Sequence, residues 1–195
     1  MNKNLKIFLI TAGVATGGFL LISWRQKASN LAAQFIDIAE VGDNAGFSNA
    51  VFETMMKEVG WKGGEAWCMY FAKSVYLKAF PKKALDITRI LSGSTQMSWK
   101  NALANPEVFK VITDGRPQRG DIIIWQSTAN TGTGHAGIAY KKQSGDTWYT
   151  IEGNTNLEKA RNGQGVMKQT RKLVPETVEG SLKLLGFLRL KTILF

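Results

Sequence analysis

The sequence predicts an α+β domain with helices in its first half and an antiparallel sheet in its second, preceded by one membrane-crossing helix. Three observations carry this. Between residues 28 and 104 apolar residues recur at helical spacing and are punctuated by caps and breakers. From Gly120 onward the pattern changes to short β-prone runs separated by polar or glycine-rich loops. The composition, 44% hydrophobic and 21% charged over 195 residues, supplies a core for one domain and an extension.

The extension comes first. Leu5 to Trp24, "LKIFLITAGVATGGFLLISW", carries only Lys6 as a charge. Its length matches the roughly 20 residues a helix needs to cross a bilayer. Ser23-Trp24-Arg25 is a poor cleavage context, which favours an uncleaved signal anchor over a removed signal peptide. Lys3 before the stretch and Lys6 at its start, with Arg25 after it, give a weak N-in orientation. That orientation puts the rest of the chain on the periplasmic or extracellular side, or in a virion membrane. The boundaries follow: an anchor over residues 1–27 and a single domain over residues 28–195.

Within the domain, Leu31, Ala32, Phe35, Ile36 and Ala39 predict a helix over Ala28–Val41, stopped by Gly42-Asp43-Asn44. Ser48 or Asn49 caps a second helix that runs to Val59 and ends at Gly60. A third covers Ala66–Phe80 before Pro81, and a fourth Thr95–Ala104. Strands are expected at Gly120–Trp125, His135–Lys141, Thr147–Gly153, Gly165–Lys172 and Leu182–Leu190, as a meander.

Lys and Arg total 25 against 15 Asp and Glu, a net charge of +10. This balance favours an anionic partner such as a membrane surface or a wall polymer. The basic residues are scattered and no nucleic-acid motif is visible, so nucleic acid is not an expected partner. One cysteine excludes an internal disulfide. One cysteine with one histidine excludes a zinc site built only of those residues.

That scarcity also focuses the chemistry. Cys68 falls in the first turn of the third helix, where free N–H groups and the helix dipole stabilise a thiolate. His135 opens a strand directly after the Gly132-Thr133-Gly134 loop. The next turn is signalled by Gln143-Ser144-Gly145-Asp146. Counting about nine residues either way from that turn sets His135 opposite Asn154, and a shift of one residue brings Glu152 opposite instead. Opposed side chains in a hairpin lie roughly 5 Å apart at Cβ. A cysteine's base needs a third group to orient it. Cys68, His135 and Glu152 or Asn154 therefore supply the parts of a thiol hydrolase, in a papain-like order.

The segments "GEAWCMYF", "QRGDIIIW", "GHAGIAY" and "IEGNTN" resemble, in order and spacing, the motifs of CHAP domains, the cysteine- and histidine-dependent amidohydrolases and peptidases. The resemblance covers roughly Ala28 to Arg171. It implies a papain-like fold and cleavage of an amide bond in peptidoglycan, either as a muramoyl-alanine amidase or as a peptide endopeptidase, with no metal or organic cofactor. Cys68 matches the nucleophile, His135 the base, Glu152 the residue that orients the imidazole, and Asn154 the second polar residue of that strand. Gly120-Asp121 matches a structural pair before the core strand. Met69-Tyr70 departs from the small residues common after the nucleophile, and the membrane helix lies outside the family pattern. Trp67, Trp125 and Trp148 are candidates to line a glycopeptide cleft. Two other readings stand beside this one: a thiol amidase with a different substrate, and a membrane-anchored structural or wall-binding protein that keeps the fold without the activity.

Overall fold

A computed structural model of the chain describes residues 26–156 and 163–191. The expected membrane span, residues 5–24, lies outside the described residues. Among those that are described, no helix is long and apolar enough to cross a bilayer.

Helix α1 occupies residues 26–33, with Ala28 and Ala32 buried. It stops well short of the expected end at Val41. The chain turns at Asp37, whose φ is 71°. It then runs extended beside residues 164–166, with Val166 N–H bonded to Ile38 O at 2.9 Å and Glu40 N–H to Gln164 O at 2.9 Å. The physical reason is the sheet edge. The strand that begins at Gly165 would otherwise present unpaired backbone groups there, and extended chain satisfies them where a continued helix would not.

A small hairpin follows, β1 (Glu40–Val41) with β2 (Gly46–Phe47). Helix α2 (Ala50–Glu58) is capped by Asn49, whose side chain accepts from Phe52 N–H at 2.9 Å. Helix α3 spans Cys68–Ala79 and gives way to a 3₁₀ turn at Pro81–Lys83. Helix α4 (Ala84–Ile90) was not anticipated; it is short and follows that turn closely. Ser94 caps α5 (Thr95–Ala104) through Met97 N–H.

The strands are β3 (Phe109–Ile112), β4 (Ile122–Ser127), β5 (Gly134–Ser144), β6 (Thr147–Thr155), β7 (Gly165–Lys172), β8 (Val178–Glu179) and β9 (Leu182–Leu190). They form a seven-stranded antiparallel sheet, ordered β3-β9-β4-β5-β6-β7, with β8 on β9. The expected meander holds from β4 to β7. The last strand departs from it, because β9 returns to pair with β4 on the side away from β5.

Strand parity divides the sheet into two faces. Ile122, Ile124, Ala136, Ile138 and Ile151 pack with Met69, Phe71 and Val75 of α3. On the other face Ile123, Trp125, Ala139 and Trp148 pack with Leu184 and Phe187 of β9. Helix α3 crosses β5 and β6. The buried Tyr76 hydroxyl fastens it to the start of β4 by donating to Gly120 O. Gly120 needs its glycine, at φ 91°. Asp121 next to it is held by Arg189 at 2.7 and 2.9 Å, a structural role as expected. Tyr76→Phe is expected to cost about 1–3 kcal/mol by leaving the Gly120 carbonyl without this donor, read as a lower denaturation midpoint at unchanged slope.

Candidate active site

Local sequence sets the start of α3. Gly64, at φ 88°, turns the chain and bonds its N–H to Asn44 O at 2.6 Å. Trp67 then occupies the cap position, and no side chain caps the helix. The N–H groups of the first turn are therefore left to whatever sits at that end, and Cys68 is the first helical residue. Trp67 fixes this end. Its Nε1–H donates to Glu40 at 2.8 Å and its ring meets Phe47 edge-on at 4.9 Å. Gly153 of β6 lies directly against it: a Cβ there would sit 2.7 Å from the Trp67 ring and 2.9 Å from Phe71 Cβ. Gly153→Ala is expected to destabilise the protein by about 1–3 kcal/mol through overpacking, seen as a lower melting temperature.

His135 lies in β5 opposite Trp125 of β4, and the two rings sit 5.7 Å apart at 34°. Its Nε2 is 3.0 Å from Glu152 Oε2. Nδ1 is buried and closes no hydrogen bond among the described residues, and the nearby Cys68 thiol raises the imidazole. Glu152 is wholly buried on β6. Besides His135 it accepts from the Thr150 hydroxyl and from Arg171, through Nε at 3.0 Å and Nη2 at 2.7 Å.

The charges are coupled. Burial pushes the Glu152 carboxyl up, but the Arg171 fork and His135 outweigh it and hold the group down at about 2. Burial likewise favours a neutral imidazole, yet Cys68 and Glu152 together raise His135 to about 9. Burial raises the Cys68 thiol, and the neighbouring imidazolium with the N–H groups of Ala136 and Met69 brings it below its ordinary value. The arrangement favours a thiolate–imidazolium pair backed by a carboxylate.

The hairpin register is Gly137 opposite Glu152, with irregularities nearer the turn. Glu152 is therefore diagonal to His135, near enough for its side chain to reach the ring. Asn154 is buried and does not meet the imidazole. Its φ is 55° and its Oδ1 accepts from Gly163 N–H at 3.2 Å. The β6–β7 pairing shifts between Glu152 and Thr155, which spans this residue.

Trp67, Trp125 and Trp148, candidates for a cleft, are core residues. They are 0, 2 and 8% exposed. Trp67 supports the start of α3, while Trp125 and Trp148 fill the second face of the sheet. Aromatic residues within strands that are covered on both faces have little surface left for a ligand.

Arg171 is the residue that sequence reading passed over, as one of many scattered basic side chains. The available signal was indirect. A buried carboxylate at Glu152 requires a cation, and β7 runs beside β6 with Arg171 opposite Trp148.

Residues 60–154 match the CHAP domain, a span that includes Cys68, His135, Glu152 and Asn154. CHAP domains are amidohydrolases and peptidases, so the match supports a hydrolase. Among solved structures the chain is similar to one titled "The crystal structure of Ly7917", with a TM-score of 0.52 and 16% identity. The likeness covers 85% of this chain and 62% of that one, less than two thirds of its length, and it concerns fold alone. Comparison with curated proteins gave no match.

Proposed function

We propose that this protein is a cysteine hydrolase that cleaves an amide bond of peptidoglycan. The observation that carries the reading is the buried pairing of His135 with Glu152, coupled to Cys68 at the uncapped start of α3. The thiolate of Cys68 attacks the amide carbonyl carbon, and the tetrahedral oxyanion is met by N–H groups of the first turn of α3. The imidazolium of His135 gives its proton to the leaving amine as the C–N bond breaks. His135, now neutral, takes a proton from water, which attacks the thioester and releases the acid and the thiolate. Glu152 keeps the ring oriented throughout and compensates its charge.

Peptidoglycan is favoured as substrate by the CHAP match and by the net charge of +10, which suits an anionic wall. Residues 5–24, as a signal anchor, would tether the domain on the wall side of a membrane. The test is digestion of purified sacculi by the full chain in detergent, with the soluble products identified by mass. New termini are expected, and they distinguish a muramoyl-alanine amidase from an endopeptidase. Absence of release by folded protein from sacculi of several wall chemistries would overturn the wall substrate.

A further inference from the structure

Arg171 makes more contacts with the site than charge neutralisation of Glu152 requires. Its guanidinium engages both carboxylate oxygens in a fork, which leaves Oε2 still facing His135 Nε2. The same guanidinium lies over the Trp125 ring at 5.2 Å, and that ring also packs against His135. One indole thus fixes the planes of both the fork and the imidazole. Behind Arg171 stands Glu179 of β8, 3.7 Å from Nη1 and 38% exposed in its side chain. Among the described residues, the charged or titratable groups facing one another across α3, β5, β6, β7 and β8 include Cys68, His135, Glu152, Arg171 and Glu179, in alternating sign when the thiolate is formed.

We propose that Arg171 is a positioning residue that acts on the Cys68 thiolate through Glu152 and His135. The argument is one of charge in a buried site. With the thiolate formed, Cys68, His135, Glu152 and Arg171 alternate in sign and cancel. Without Arg171 the same state carries a net negative charge away from water. Such a site sheds that charge by taking up a proton. A proton taken up at the thiol removes the thiolate directly, and one taken up at Glu152 removes the charge that stabilises the imidazolium, so either way the thiolate population falls at a pH where the wild type keeps it. The proposal rests on the thiol reading of the site and not on the wall substrate.

The experiment uses iodoacetamide, which alkylates the thiolate at the chain's one cysteine and needs no wall substrate. The rate is followed against pH for the full-length wild type, Arg171→Met and Arg171→Lys, with folding checked by circular dichroism. Arg171→Met is expected to lower the rate at about pH 6 by tenfold or more, while the rate in the alkaline plateau changes little. Arg171→Lys keeps the charge without the fork and should shift the acid limb less, in the same direction. Glu152→Gln removes the group through which Arg171 acts, so adding Arg171→Met to it should move the limb no further. A folded Arg171→Met with an unshifted limb overturns the proposal. So does a uniform loss at all pH values, which would mark a structural role only. If Arg171→Met fails to fold, Glu152→Gln with and without Arg171→Met decides it: equal limbs support the proposal and a further shift overturns it. A normal profile change alongside inactivity on sacculi would sink the substrate assignment and leave Arg171's role standing.

Discussion

Replacing Glu152 with Gln is expected to lose about 3 kcal/mol or more of folding stability at neutral pH, and about a hundredfold or more of activity. Gln matches the shape of Glu but not its charge. It leaves the Arg171 guanidinium buried beside a neutral amide, with the half-exposed Glu179 carboxylate at 3.7 Å. It also removes the acceptor that orients His135. Denaturant unfolding reads the first loss and product release the second. Full stability with full activity would remove Glu152 from the site.

The same carboxylate gives a pH dependence with a definite sign. Glu152 is depressed from an ordinary 4.5 to about 2. Its contribution to stability is present above about 4.5 and is lost as pH falls through about 2. Glu152→Gln should flatten that acid limb of the unfolding profile.

Cys68→Ala is expected to abolish product release while the protein stays folded, because the thiol is small and Ala keeps most of its packing. Its sharper signature lies in His135. The chain has one histidine, so its imidazole signal in an NMR titration is unambiguous. In the wild type it should titrate near 9. Cys68 is the strongest influence raising it, so in Cys68→Ala the midpoint should fall. The sign for stability is opposite to that of Glu152. His135 is raised from 6.5, so its contribution is complete below about 6.5 and is lost as pH rises through about 9. Activity should fall over the same alkaline window, because the leaving amine then lacks its proton donor. A wild-type midpoint near 6.5 would rule out the thiolate–imidazolium pair.

The sequence by itself determined the local elements and the candidate site residues Cys68 and His135. Cap residues Asn49 and Ser94, the stop before Pro81, and the β-prone runs of β7 and β9 are signals carried within a few neighbouring positions. The scarcity of Cys and His left one choice for each of the first two site residues. Tertiary structure decided what depends on partners far along the chain. Residues 34–41 read as helix, yet the chain turns over residues 34–37 and the edge of β7 takes residues 38–40 into extended pairing. Counting across the hairpin left Glu152 and Asn154 both open. The irregular β5–β6 register and the turn of Asn154 toward Gly163 gave the imidazole to Glu152. The tryptophans offered no sequence distinction between cleft and core, since only the packed faces of the sheet set their exposure. Arg171 looked like any surface cation until the burial of Glu152 required a counter-charge. That requirement arises only when desolvation makes an unpaired carboxylate costly, and desolvation is a property of the assembled fold.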